Sequence, residues 1–154
     1  QRTSGPATLV LQIVSENGAE VDMIQTGDRL TLCLDLSVLR PVGRAGIGVG
    51  IVDVLGTRVL TFHTHYQYFE SWKIQEHCVC TIEWPESYLA PGDYTFVAAL
   101  YDGTELVASW DNVGRLSVVP SDYFSTGRLP DPTHQGRVLA RATWRIIADG
   151  LSTN

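Results

Sequence analysis

The chain has 154 residues, of which 44% are hydrophobic and 18% are charged, and its formal net charge is −6. This length fits one domain with a hydrophobic core of its own, and this composition excludes a disordered chain. The acidic balance disfavours nucleic acid as a partner, because binding the phosphate backbone requires a cationic surface. No apolar run approaches the length of a membrane span.

The N-terminal part alternates apolar and polar residues, a pattern typical of strands with one buried face. Residues 7–14 form the first predicted strand, and the turn signal Asn17-Gly18 follows it. Residues 30–38 form a longer strand with leucine or valine at every second position. A shift of one residue in its pairing would expose all of these side chains, so we expect this strand to line the core.

The next two strands, 46–53 and 57–66, are predicted to form a hairpin around a turn at Leu55-Gly56. In the first of them, isoleucine and valine alternate with glycine. If the branched residues face the core, Gly48 and Gly50 lie on the outer face and leave it open. A glycine inside a strand marks a close approach by another backbone or by a ligand, so this face is interpreted as a ligand groove or as a tight packing surface.

Further strands are predicted at 77–84, 94–102, 104–110 and 114–119, the middle two joined by a hairpin at Asp102-Gly103. Asp111 and Asn112 are interpreted as a turn before the last of them, and Trp110 as a core residue that shares a face with Leu106 and Ala108. Short strands separated by turn signals at regular spacing predict an all-β protein. The fold class that we expect is an antiparallel β-sandwich, Ig-like or jelly-roll, over residues 1–119.

The C-terminal part changes character. Residues 120–135 are rich in Pro, Ser, Thr and Gly and are predicted to be a connecting arm, long for one domain. Alternation resumes over 136–147, which predicts a last strand, and 148–154 is a tail. The last strand could pair with its own sheet or with a second copy of the chain, and exchange of such an arm would make a two-fold dimer.

Motifs for catalysis and cofactor binding are missing from the sequence. It contains no phosphate loop, no H-E-x-x-H, no G-x-S-x-G and no G-x-G-x-x-G that opens a helix. The three cysteines, Cys33, Cys78 and Cys80, are odd in number and poorly spaced for a disulfide, so we expect free thiols in a reducing compartment. We therefore predict a domain that is not an enzyme and that uses no cofactor.

The candidate binding residues lie at the end of the second hairpin strand. His63 and His65 share one face; because a metal site needs a third ligand and neither of the other histidines is near in sequence, we predict no metal. Tyr66 follows them, and alternation places Tyr101 on the outer face of a later strand. Imidazoles that donate and accept hydrogen bonds, next to aromatic rings, suit the hydroxyls and C–H faces of a sugar. The alternative is that several of these rings complete the core.

Two arginines, Arg58 and Arg115, are added to the predicted site because a bidentate guanidinium suits a ligand that carries phosphate or carboxylate. The full predicted ligand-binding set is His63, His65, Tyr66, Tyr101, Arg58, Arg115, Gly48 and Gly50. Strict alternation places Tyr66 on the face opposite to both histidines, so a bulge or the end of the strand must bring them together.

A set of short motifs gives the chain a family resemblance. The motifs are GIGVGIVDVLGTRVL, Leu89-x-x-Gly-x-Tyr94, ALYDG, WDN and the late strand GRVLARATW. In this order and spacing, from about Thr26 to Trp144, they resemble the carbohydrate-binding C-terminal domain of the ATPase subunit of O-antigen ABC exporters, the Wzt type.

The resemblance implies a β-sandwich that dimerises by exchange of its C-terminal strand. It also implies binding of the non-reducing end of a lipid-linked O-antigen polysaccharide, often at a terminal cap. The ATPase domain would lie upstream of Gln1, in agreement with the missing initiator methionine, and would contact the membrane subunit of the ABC transporter. The domain would then be cytoplasmic and peripheral to the inner membrane.

Two other classes of function stay open at this stage. One is a structural dimerisation domain of the transporter that binds no ligand and uses the glycine face for the exchanged strand. The other is a secreted β-sandwich adhesin or glycosidase, which would require a signal peptide and, for hydrolysis, a pair of carboxylates at a working distance.

Overall fold

The structure is a computed structural model that describes residues 2–68, 70–131, 133–148 and 151–153. Residues 149, 150 and 154 of the predicted tail lie outside the described residues. Within these ranges the chain forms twelve strands and one short helix. In chain order they are β1 (Arg2–Ser4), β2 (Ala7–Val14), β3 (Met23–Gln25), β4 (Leu30–Val38), β5 (Val42–Asp53), β6 (Arg58–His63), α1 (Thr64–Gln67), β7 (Trp72–Ile74), β8 (His77–Trp84), β9 (Gly92–Asp102), β10 (Glu105–Val119), β11 (Ile146–Ala148) and β12 (Leu151–Thr153).

Two sheets pack face to face. The four-stranded sheet has the order β1-β2-β4-β8, and the six-stranded sheet has the order β3-β10-β9-β5-β6, with β7 also paired to β5. Neighbouring strands are antiparallel except β3 and β10, which run parallel. The predicted all-β antiparallel sandwich is therefore confirmed.

The core lies between the sheets and follows the alternation of the sequence. The even-numbered residues of β4 from Leu30 to Leu36 are almost fully buried, and they face Val49, Ile51 and Phe96 from the other sheet. Full burial of a side chain of this kind contributes roughly 1.5–3 kcal/mol, so these alternating rows set the register of both sheets.

The hairpin turns that carry the site form where the sequence predicts them. Gly56, in the turn between β5 and β6, has φ +82°, and Gly103, between β9 and β10, has φ +61°. These backbone conformations favour glycine over residues with a Cβ atom. In the first turn the Asp53 carboxylate also accepts hydrogen bonds from the backbone N–H groups of Leu55 and Thr57.

Three predicted boundaries are wrong. The strand predicted over 46–53 begins at Val42, and the strand predicted over 57–66 ends at His63, because one turn of helix replaces its last residues. The turn predicted at Asp111-Asn112 is a bulge, and β10 continues through it. Asn112 has a left-handed backbone there, with φ +53°, a conformation that Asn tolerates better than most residues.

Only a few residues of the C-terminal part form strands. In the segment predicted as a strand over 136–147, Val138 forms an isolated bridge to Leu89, residues 139–145 belong to no strand, and β11 begins at Ile146. Leu139 is buried in a small second cluster with Tyr123 of the connecting arm. Alternation alone does not supply a partner strand, and this segment has none along most of its length in the single chain.

The three cysteines are free thiols. The Sγ atoms of Cys78 and Cys80 lie 3.4 Å apart, and burial raises the pKa of Cys80 to about 12. A thiol with this pKa is a poor nucleophile at neutral pH. Among the described residues, no helix has the length and apolar character required to span a bilayer.

A candidate ligand-binding cavity on the six-stranded sheet

The outer face of the six-stranded sheet carries its smallest side chains where β5 pairs with β9. Gly46, Gly48 and Gly50 occupy the outward positions of β5, and Ala99 lies opposite Gly48 on β9. On the other side of β5, Gly48 pairs with His63 of β6. Because these outward positions carry no side chain or only a methyl group, side chains from the neighbouring elements can lie directly on the backbone.

Each of the three glycines is covered by one planar side chain of the same chain. A Cβ atom added to Gly48 would lie 2.8 Å from Cδ2 of His63, and one added to Gly50 would lie 2.7 Å from the guanidinium carbon of Arg58. The imidazole of His65 covers Gly46 in the same way. The glycines therefore do not leave the sheet bare for a ligand, as the sequence suggested. They make room for a row of polar planar groups.

Helix α1 resolves the conflict over Tyr66. His63 ends β6 and caps α1, since its Nδ1 atom accepts a hydrogen bond of 3.1 Å from the backbone N–H of His65. The chain then turns by one helical turn, which brings Tyr66 back over His63 with the ring centroids 4.7 Å apart. Tyr66 is 80% exposed, so its ring forms a wall that solvent reaches.

Tyr101 forms the second aromatic wall. It lies opposite Gly46 on β9 and points outward, because its neighbour Leu100 is fully buried. Its ring centroid lies 5.5 Å from that of His63. His63 therefore lies between two tyrosines that reach it from different elements, and the predicted outward orientation of Tyr101 agrees with the structure.

These side chains border a cavity of about 530 Å³, here called the outer cavity. Its volume is within the range of about 300–1,000 Å³ of small-molecule sites. Its polar and aromatic lining residues are Arg58, Thr61, His63, His65, Tyr66, Tyr101, Thr104, Ser109 and Asp111. The outer cavity therefore combines aromatic rings with hydrogen-bonding groups of both kinds.

In the described ranges, the outer cavity is lined by one arginine, Arg58, one carboxylate, Asp111, and the two imidazoles of His63 and His65. The Arg58 side chain donates a hydrogen bond of 3.0 Å to the hydroxyl of Thr61, and in the described part of the chain it forms no ion pair. Desolvation, and then the charge of His65, hold the pKa of His63 below its ordinary value, so this ring is neutral at pH 7. No group of three or more metal-ligating side chains occurs among the residues that the structure describes.

A comparison with family models decides the identity of the fold. The model of the Wzt C-terminal domain matches residues 3–129. The chain belongs to the Wzt C-terminal domain family. The resemblance predicted from the sequence is confirmed, and membership supports the assignment of the chain as a Wzt-type domain of an O-antigen exporter.

The solved structures agree with the family. The crystal structure of a Wzt C-terminal domain matches with a TM-score of 0.73 at 12% identity, over 93% of this chain and 85% of that one. A CARDB domain from Pyrococcus furiosus, solved in complex with di-metal ions, matches at TM-score 0.43, 18% identity and coverage of 77% and 94%. A β-glucuronidase of glycoside hydrolase family 2 matches at TM-score 0.47, 13% identity and coverage of 73% and 11%. The last two likenesses carry no argument about function, and no curated protein matches the chain.

One predicted site residue of this Wzt-type domain lies away from the outer cavity. Arg115 pairs with Thr95 near the far end of the same sheet, and it borders a different cavity of about 420 Å³ together with Asp53 and Asp93. The other seven predicted residues all border or lie beneath the outer cavity. Distance along the strand accounts for the separation, because the partner Thr95 lies six residues before Tyr101 on β9, roughly 20 Å at about 3.3 Å per residue.

The sequence analysis missed several residues that line the outer cavity. Asp111 was assigned to a turn, and Thr61, Thr104 and Ser109 were not singled out, although all four border the outer cavity. The signal for Ser109 and Asp111 was present: Ala108 and Trp110 are buried, so alternation turns their neighbours outward.

A second cavity, of about 310 Å³, lies on the other side of α1 between the edges of the two sheets. Apolar side chains such as Phe62, Trp72 and Ile82 line it. Thr64 and Gln67 of α1, and Tyr68 directly after the helix, also border it. His63 borders both cavities. Helix α1 and His63 therefore separate the outer cavity from the space between the sheets.

Proposed function

We propose that this Wzt-type domain binds the non-reducing end of a lipid-linked O-antigen polysaccharide in the outer cavity and performs no catalysis. The observation that carries the proposal is the lining of that cavity: the rings of Tyr66 and Tyr101 on either side of His63, with polar groups around them. The proposal explains why β5 carries glycine at three successive outward positions.

The chemistry of the walls suits a sugar. A pyranose has C–H-rich faces that pack on aromatic rings, and hydroxyl groups at its edges that donate and accept hydrogen bonds. Thr61, Ser109 and Asp111 can accept such bonds, while Arg58 and His65 can donate them. Arg58 also provides a bidentate partner for a phosphate or carboxylate on a terminal cap.

The dimensions of the outer cavity favour the tip of a polymer. It is open to solvent along the sheet, so the rest of the polysaccharide can leave it without a channel. Open sites of this kind replace hydrogen bonds to water with similar ones to protein, so each site should bind weakly. Two sites in one homodimer, held near one transporter, would raise the effective affinity by multivalency.

The homodimer is proposed to form through the C-terminal segment, residues 136–147. The residues at its end are apolar and exposed, with Trp144 and Ile147 each 74% accessible. Exposed apolar side chains close together mark an interaction surface. A second copy of the chain is the partner that the predicted strand exchange provides.

The cellular setting that we propose is the one that the family suggests. As a component of an ABC transporter, the domain would be joined to an ATPase domain and, through it, to the membrane subunit. This arrangement places it on the cytoplasmic side, peripheral to the inner membrane. Its free cysteines fit a reducing compartment.

The small number of carboxylates in the outer cavity favours binding over hydrolysis. Glycoside hydrolysis ordinarily uses two carboxyl groups on either side of the scissile bond. Among the described lining residues, Asp111 is the single carboxylate. A dimerisation domain without ligand would explain the C-terminal segment but not the two outward-facing tyrosines.

The test is titration calorimetry of the domain with the O-antigen polysaccharide of the source organism. We expect Tyr66→Ala and Tyr101→Ala each to weaken binding about tenfold, because an aromatic contact adds about 1 kcal/mol beyond the area it buries. His65→Ala should also lose binding. The melting temperature should hardly change for Tyr66→Ala, since that ring is exposed.

Tyr68→Ala is the matched control, since Tyr68 is 65% exposed and borders the cavity on the other side of α1. It should bind like the wild type. Loss of binding in Tyr68→Ala alone would move the site to the space between the sheets. An absence of any binding to the polysaccharide would favour the purely structural role, and release of free sugar would favour a hydrolase.

A further inference from the structure

Helix α1 is too short to hold its own position. It has four residues, none of them buried, and it ends with a hydrogen bond of 2.8 Å from the backbone N–H of Tyr68 to the carbonyl of Thr64. A single helical turn costs more conformational entropy than its few hydrogen bonds return. Contacts from outside the helix must therefore hold Tyr66 over the outer cavity.

Two side-chain hydrogen bonds provide these contacts. The hydroxyl of Thr64 accepts a bond of 3.0 Å from the backbone N–H of Ile47, which ties α1 to β5. His63 Nδ1 accepts the bond of 3.1 Å from the backbone N–H of His65, which caps the helix. Such a cap satisfies one of the N–H groups that a first helical turn leaves without a partner.

The cap fixes the protonation state of His63. A nitrogen that accepts a hydrogen bond from an N–H group carries no proton, so the proton of the neutral ring is on Nε2. The ring cannot turn away freely, because it lies directly on Gly48 and between the rings of Tyr66 and Tyr101. The imidazole is thus locked by packing with its acceptor aimed at the helix.

We infer that His63 is the positioning residue of the outer cavity: it holds α1, and with it Tyr66, over the cavity as long as its Nδ1 atom is unprotonated. Protonation turns Nδ1 into a donor that faces the N–H of His65, so the cap bond is lost. Helix α1 then loosens and Tyr66 leaves the wall. The consequence for sugar binding rests on the proposed function, whereas the cap itself does not.

The surroundings of His63 set the pH at which this happens. The ionisable groups around its two cavities are His65 and Tyr66 of α1, Tyr68 just after it, Arg58 of β6, Tyr101 of β9, Asp111 of β10, and Cys80 and Glu83 of β8. Desolvation and the charge of His65 lower the pKa of the His63 ring from 6.5. The capped state is therefore fully present above pH 6.5 and is lost as the pH falls through the lowered pKa.

The cap can be measured in the ligand-free protein. In NMR spectra we expect His63 to carry its proton on Nε2 at pH 7.5. On acidification through the titration of His63, the protection factor of the His65 amide should fall about tenfold, the size of effect that a lost N-cap produces. The ring-current shift between Tyr66 and His63 should disappear over the same pH range.

Variants separate the cap from other effects of pH. His63→Asn keeps a side-chain acceptor at the cap but does not titrate, so the His65 amide should stay protected both at pH 7.5 and after acidification. His63→Ala should lose the protection at both. His65→Gln keeps the backbone N–H and removes the second imidazole. If the protection of this amide still depends on pH in the variant, the titrating group is His63.

The inference is overturned if His63 titrates while the His65 amide and Tyr66 do not respond, or if His63→Asn loses protection as His63→Ala does. The wild-type titration decides the matter alone if the alanine variant does not fold. Calorimetry with the polysaccharide at pH 7.5 and 5.5 gives a separate result: a cap that behaves as described in a protein that binds no glycan would refute the proposed function and leave the positioning role intact.

Discussion

Two regions of this domain are held in place by opposite means. At the β5–β6–α1 corner, residues 46–67, polar side chains bond to their own backbone and lie on glycine. In the C-terminal segment, the start is docked by Arg137, which pairs with Asp53, and by buried Leu139, while the end exposes Trp144 and Ile147. The corner is complete within one chain, and the C-terminal segment is not.

The difference indicates two kinds of partner. A cavity with fixed polar groups and outward-facing tyrosines suits a polar ligand that needs defined hydrogen bonds. A stretch of apolar side chains without a covering layer suits another protein surface. The comparison therefore predicts that ligand binding and dimer formation can be broken separately.

The largest effect is expected from removal of residues 142–154, which keeps the contacts of Arg137 with Asp53, of Leu139 with Tyr123 and of Arg141 with Glu86. We expect a monomer in place of a dimer by size-exclusion chromatography with light scattering. Calorimetry should show that each monomer still binds the polysaccharide, with only the avidity of the dimer lost.

Point variants control for the truncation. The double variant Trp144→Ser, Ile147→Ser should dissociate the dimer in the full-length chain, whereas Leu39→Ser, at a residue 85% exposed after β4, should not. If the truncated chain stays dimeric, the interface lies elsewhere and the division between the two regions does not hold.

The next effect is expected from Gly48→Val. Its Cβ atom would lie 2.8 Å from the His63 ring, so the ring must move and with it Tyr66. Overpacking of this kind typically costs about 1–3 kcal/mol. We expect binding to fall at least about tenfold in calorimetry and the dimer to persist in light scattering.

Gly43→Val is the matched control on the same strand. A Cβ atom at Gly43 meets nothing within 4 Å. This variant should therefore melt and bind almost like the wild type. Equal losses in the two variants would mean that valine harms β5 in general, and the seating of His63 on Gly48 would have no special role.

The regular strands could be predicted from the sequence because burial acts at every second residue. The strands β2, β4 and β8 begin and end where alternation places them. The short strands β3 and β7 could not be found in this way, since three residues carry no periodicity.

The site could be predicted only in part. Alternation identified the outward glycines and Tyr101. The position of Tyr66 depends on a hydrogen bond to a ring nitrogen of His63, and no residue pattern marks a histidine as a helix cap. Arg115 was grouped with the site because of its charge, but it lies far along β10 from the outer cavity, and its charge carries no information about that position.

The smallest effect is expected from Arg137→Ala, which removes the contact that links the two regions. The hydrogen bond from Arg137 is the main cause that lowers the pKa of Asp53, followed by the bond from the backbone of Thr57. A carboxyl group with a lowered pKa stabilises the fold above its ordinary value of 3.8, and the contribution is lost as the pH falls through the lowered pKa. The variant should therefore melt a few degrees below the wild type at pH 7, and the gap should close at a pH below the lowered pKa of Asp53.

Arg128→Ala, in the connecting arm, is the control for loss of one positive charge, and its melting temperature should match the wild type at both pH values. Because Asp53 also holds the turn that joins β5 to β6, Arg137→Ala should loosen the hairpin that carries Arg58 and His63. A small loss of glycan affinity together with the lower melting temperature would mean that docking of the C-terminal segment supports the outer cavity. An unchanged affinity would mean that the two regions are independent even where they touch.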